Sequence, residues 1–120
     1  MLTDPSSVVE SDRRAYTSAY ARAGRMKAGF SYFAALEQDA QDNAKWAKGP
    51  KLSMPVLAMG GEHSARELVS AQFSQVATKV TPMVIQGSGH WLLEEKPAEV
   101  IPAVVNFLHT SSASSGFKVP

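Results

Sequence analysis

The chain has no cysteine among its 120 residues, which removes disulfides, thiolate metal ligation and thiol nucleophiles at once. That absence fits a reducing compartment, and a cytoplasmic location is the expectation. A surplus of either charge is also missing: twelve Lys and Arg against eleven Asp and Glu leave a formal net charge of +1. Without a basic surplus, nothing points to nucleic acid or to an anionic membrane as partner. No apolar run approaches the ~20 residues that span a bilayer. Met1-Leu2-Thr3-Asp4-Pro5 has neither the basic segment nor the apolar stretch of a signal peptide. The three histidines and the carboxylates fall into no spacing that would set three metal ligands, so no metal and no cofactor are expected. What is present is an apolar fraction of 44%, enough for one modest core.

The pattern changes at Gly49-Pro50. Before it the chain reads as helical. Asp4-Pro5-Ser6 resembles a helix entry, and Tyr16 and Tyr20, four apart, share a face if Asp12 to Ala21 is helical. Gly24 interrupts. From Arg25 to about Lys48, Met26, Phe30, Phe33, Leu36, Ala40 and Ala44 recur at three- and four-residue steps, the stripe of an amphipathic helix. Beyond Gly49-Pro50 strands and helices alternate. Met54 to Met59 is apolar on both parities, which predicts a strand buried on both faces. Ser64-Ala65-Arg66-Glu67 has the spacing of a capping box. The helix it opens is expected to bury Leu68, Val69, Phe73, Val76 and Val80. Pro82 to Ile85 reads as a second strand, and Pro97 opens a last helix with the stripe Ile101, Val104, Val105 and Leu108. Pro102 should bend that helix. His109 falls near its C-terminus, where a cation is favoured. The small polar tail from Ser111 onward is expected to be disordered.

The second half therefore reads β-α-β-α, one parallel crossover unit. Two strands make a marginal sheet by themselves, and two helices cover their faces only in part. This half reads as the last third of a larger sheet.

Its most informative stretch is Gly87-Ser88-Gly89-His90-Trp91. The glycines allow a sharp bend, and the turn falls at the carboxyl end of a strand, where open α/β sheets gather their chemistry. A histidine placed there suits proton transfer near neutral pH, so His90 is the candidate general base.

The order of parts resembles the C-terminal portion of an α/β-hydrolase-fold protein, of the epoxide hydrolase and haloalkane or haloacetate dehalogenase kind. The likeness is carried by Met54-Pro55-Val56-Leu57-Ala58-Met59-Gly60-Gly61-Glu62, by Gly87-Ser88-Gly89-His90-Trp91-Leu92, by Glu94-Glu95-Lys96-Pro97 and by Val104-Val105-Asn106-Phe107-Leu108. It covers roughly residues 5–109. It implies an α/β class and a partial α/β-hydrolase fold: the end of a helical cap over 1–49, then the last β-α-β-α of the core sheet over 50–110, with 111–120 as the tail. By the same likeness His90 either activates the water that cleaves a covalent ester on an aspartate or deprotonates a serine. The nucleophile of such proteins sits on a Gly-x-Asp or Gly-x-Ser elbow, and no such elbow occurs in these residues. The acid that orients His90 is either Glu62, the nearest carboxylate after the first strand, or a group outside this stretch, since His63 stands where the family's common Gly-x-x-Asp spacing has aspartate.

Two readings of function follow. The chain is a hydrolase portion acting on an epoxide, organohalide or ester once a core supplies the nucleophile, with a small apolar substrate as its partner. Alternatively it is a non-enzymatic remnant that self-associates, or pairs with a complementing chain, through its sheet edge and helix stripe. Trp91 either lines a substrate pocket or anchors the core. The resemblance implies that Tyr16 and Tyr20 donate hydrogen bonds to an epoxide oxygen, whereas ordinary helix packing with the ring tips in water is the simpler physical account.

Overall fold

The computed structural model describes residues 2–115. Its packing divides into two compact units. Val8–Pro50 forms one; Met1–Ser7 with Lys51–Pro120, described over 2–7 and 51–115, forms the other.

The helical unit holds α1 (Glu10–Ala21) and α2 (Arg25–Trp46). Acidic Glu10 and Asp12 lie in the first turn of α1, where they complement the helix dipole, and Glu10 accepts from Arg14 one turn on at 2.9 Å. Gly24 separates the helices with φ 80, a conformation costly for a residue with a Cβ. No residue of α1 or α2 is buried. The stripe from Met26 to Leu36 is helical as its spacing predicts, but Phe30 is 63% and Phe33 71% exposed.

The sheet unit holds β1 (Leu52–Gly61), α3 (Leu68–Val76), β2 (Ala77–Ile85), α4 (Leu92–Glu95) and α5 (Pro97–Ser115). Residues 2–7 join it, with the amide of Thr3 donating to Glu95 at 2.8 Å. Among the described residues the sheet has two strands, β1 and β2, paired in parallel. Leu52 pairs with Ala77 but Pro55 with Lys79, so β1 carries an extra residue at a bulge. Pro55 sits there because it has no N–H to offer the ladder. Both strands are longer than the apolar runs suggest.

Several expectations need correction. Met54 to Met59 is not buried on both faces. Its first half is exposed and burial grows only toward Ala58, Gly60 and Gly61. The faces that periodicity assigns to a core have few neighbours here, and among the described residues the buried side chains are few: Ala58, Ala77, Ile85, Val100 and Ser88. Ser64 does not open α3. Arg66 adopts φ 47, which breaks the helical path, so α3 begins at Leu68 and no side chain caps it. Leu68 is 66% and Phe73 40% exposed, and Val80 belongs to β2. In α5, Ile101, Val105 and Leu108 are exposed while Val100 is buried. That helix runs on to Ser115, the last described residue. The disordered-tail expectation therefore does not hold for residues 111–115, and residues 116–120 lie outside the described residues. His109 consequently sits well inside α5, and its explanation as a C-terminal cation lapses.

Candidate functional site

The carboxyl ends of β1 and β2 are joined by a short lattice of hydrogen bonds. Glu62 donates its amide to the Ile85 carbonyl at 3.0 Å, and His63 donates to the Ser88 carbonyl at 2.9 Å. The turn after β2 can lie this close only because Gly61 has no side chain. A Cβ there would collide with the Gly89 carbonyl oxygen and reach that of Ser88 at 2.7 Å. Gly87 begins the turn at φ 62, in the left-handed region that favours glycine. Ser88 is fully buried, with its hydroxyl oriented toward the Gly89 carbonyl at 3.4 Å. The result is a backbone-built ledge at the strand ends, with His90 at its outer lip.

His90 is exposed. Its Nδ1 lies 3.4 Å from Ser64 Oγ, and its ring meets that of Trp91 edge-on, with centroids 5.4 Å apart. Trp91 is 53% exposed, so it is not a core anchor.

Among the described residues no hydrogen bond joins Glu62 to His90. The Glu62 carboxylate accepts from the Gly87 amide at 2.8 Å and lies 3.7 Å from His63 Nε2. The structure thus brings Glu62 to the turn that carries His90, through the backbone, and gives the imidazole Ser64 instead.

Sequence reasoning missed Glu95. Its Oε2 accepts from the amides of Gly89 at 3.0 Å and Thr3 at 2.8 Å, and its Oε1 from Trp91 at 3.2 Å. Burial would raise its pKa, but the hydrogen bonds from Gly89, then Thr3 and Trp91, outweigh it and hold the carboxyl at about 2. Three N–H donors favour the charged form. A signal was available: an acidic residue in the first turn after Trp91 can reach back to the amide at the helix entry, as the glutamate of a capping box does. The same logic applied to Ser64 failed, because a serine is free to cap only if the helix begins there.

Tyr16 and Tyr20 both lie on α1 in the helical unit. The Tyr20 ring lies against Gly29 of α2, where an added Cβ would meet its Cε1 at 3.2 Å, and stays half exposed. Among the described residues no group of three or more His, Asp or Glu is placed to hold a metal ion, and no helix is long and apolar enough to cross a membrane. A groove of 330 Å³ between the sheet and α5 is lined by Leu57, Met83, Asn106 and Phe107, among others. No residue of the His90 turn lines it.

A parallel strand–helix–strand unit, with histidine on a glycine turn at the strand ends, is an α/β arrangement. Comparison with known proteins carries the assignment further. No protein-family model matches the chain. The soluble epoxide hydrolase of Corynebacterium sp. (strain C12) is 31% identical over 104 residues, covering 86% of this chain and 35% of that protein. Epoxide hydrolase B of Mycobacterium tuberculosis is 29% identical over 111 residues, covering 88% and 31%. Among solved structures, the epoxide hydrolase CorEH matches with a TM-score of 0.82 at 28% identity, over 91% of this chain and 38% of its own. Cfl2 from Burkholderia cenocepacia matches with a TM-score of 0.77 at 30% identity, over 88% and 36%. The chain is epoxide hydrolase-like and carries the C-terminal portion of an α/β-hydrolase fold. It spans about a third of the length of the curated relatives it matches.

Proposed function

We propose that His90 is the general base of an α/β-hydrolase active site whose nucleophile comes from outside these 120 residues. The observation that carries this reading is the placement of His90: exposed, on a turn held at the strand ends by backbone bonds, beside Ser64 and Trp91. With a proton on Nδ1 donated toward Ser64, Nε2 keeps its lone pair for a water or a hydroxyl. In the hydrolysis of an ester between an aspartate and the substrate, Nε2 takes a proton from water. The oxygen then attacks the ester carbonyl carbon, the acyl C–O bond breaks, and the alcohol leaves with its own oxygen and the proton returned from Nε2, freeing the aspartic acid side chain. An epoxide is the substrate class best supported, from the names of the relatives; an organohalide or ester is open to the same chemistry. The acid that stabilises the imidazolium comes from elsewhere, since Glu62 is engaged with Gly87.

The test is a chimera in which this chain replaces the matching third of the Corynebacterium epoxide hydrolase. Epoxide turnover should fall by about 10²–10⁴-fold in His90→Gln, the usual contribution of a general base. Turnover indifferent to that change would sink the reading. The chain alone should turn over neither epoxides, haloacids nor p-nitrophenyl esters.

A second reading is favoured by the exposed apolar surface: in isolation the chain acts as a self-associating module. Its helix stripe and two edge strands lack the neighbours that such surfaces require in water.

A further inference from the structure

We infer that Glu95 is a positioning residue for His90, its carboxylate gripping the backbone amides on both sides of that histidine. Oε2 accepts from Gly89 and Oε1 from Trp91, at 3.0 and 3.2 Å, so one rigid planar group spans residue 90. The inference rests on the reading of His90 as base.

The need for such a grip follows from what does not hold the imidazole. His90 is exposed, so packing does not orient it. Its hydrogen bond to Ser64 is long at 3.4 Å, and its neighbour Trp91 is itself exposed. Gly89 precedes it, and glycine leaves the backbone the widest range of conformations. Where the His90 Cα–Cβ bond points is therefore set by the φ and ψ of Gly89 and His90, and Glu95 holds the peptide groups at the two ends of that stretch, Ser88–Gly89 through the Gly89 amide and His90–Trp91 through the Trp91 amide. Gly89 is buried, and its amide requires an acceptor. Glu95 supplies it from the last turn of α4, a helix anchored in its turn to α5 by the Lys96 carbonyl, which accepts from the Glu99 and Val100 amides. A residue that merely capped α4 would need the Trp91 amide alone; the bond to Gly89, on the far side of His90, serves no helix.

Glu95→Gln tests this, because an amide side chain offers one acceptor oxygen and turns an N–H donor toward the second amide. In the full chain, hydrogen exchange followed by mass spectrometry should show the segment 87–93 exchanging about tenfold faster or more, as expected when a local opening replaces a protected one, with the strand segment 80–85 unchanged. Glu99→Gln, on α5, is the control and should alter neither. In the chimera, Glu95→Gln should lower kcat by about a hundredfold, the cost of a misplacement near 1 Å, and leave KM within about twofold. Unchanged exchange at 87–93, or equal acceleration in 80–85, would overturn the inference. So would an unchanged kcat in a chimera that His90→Gln inactivates. A chimera indifferent to His90→Gln fails the reading of the base instead, and the exchange result then stands as evidence on the turn alone.

Discussion

At the scale of single residues, the site is held by groups without side-chain bulk and by carboxylates aimed at the backbone. Gly61 is the sharpest case. Gly61→Ala must push the Gly89 carbonyl away, and forcing an extra methyl into a packed site costs about 1–3 kcal/mol. The expected outcome is faster proteolytic cleavage within 86–92, with α1 and α2 unaffected; equal resistance would show that the turn yields freely. Glu95 makes the site sensitive to acid in a defined window. Its folded pKa of about 2 lies below the ordinary 4.5. Its contribution is therefore complete above 4.5 and fades as pH falls toward about 2. The amide proton of Gly89 should shift with that protonation in NMR spectra of the chain, and in Glu95→Gln the shift over this range should vanish. A midpoint near the ordinary 4.5 would mean that the three-amide grip is absent in solution.

At the scale of elements, α2 is a helix whose apolar stripe faces solvent. Replacing Phe30 and Phe33 with glutamate should leave far-UV helicity intact, because exposed positions change stability by about ±0.5 kcal/mol. The same pair of changes should lower binding of a hydrophobic dye and reduce association. Loss of helicity would instead mean that the stripe is buried in solution, in a contact the helix needs. β1 presents the related case in a strand: its buried end lies at Ala58, Gly60 and Gly61, beside the His90 turn, and its exposed end near the bulge at Pro55. Burial along β1 is concentrated at the end where the candidate chemistry lies.

At the scale of the whole molecule, few side chains are buried among the described residues, and none of them in α1 or α2. Burying so little apolar area leaves little to offset the entropy of ordering the chain. We expect light scattering to find species larger than a monomer, and heat to give a broad transition. A single monomer peak with cooperative unfolding would contradict this. The match to a third of each longer hydrolase accounts for the imbalance: a portion of a larger fold carries apolar faces without the parts that would cover them.

Periodicity and turn chemistry were enough to establish α2, the β-α-β order after Pro50 with a last helix from Pro97, and the glycine turn that presents His90, but not the short α4. Those features depend on neighbours a few residues apart, so they are written locally. Which apolar faces are buried was not local, and there Met54, Leu68 and Ile101 misled, because a stripe records a partner without saying whether the partner is present. Nor could spacing show that Ser64 meets His90 instead of capping α3, that Glu62 holds Gly87, or that Glu95 spans His90. These contacts cross between the two strand ends and the helix beyond them, and only the folded backbone, brought close by a glycine at 61, sets their distances.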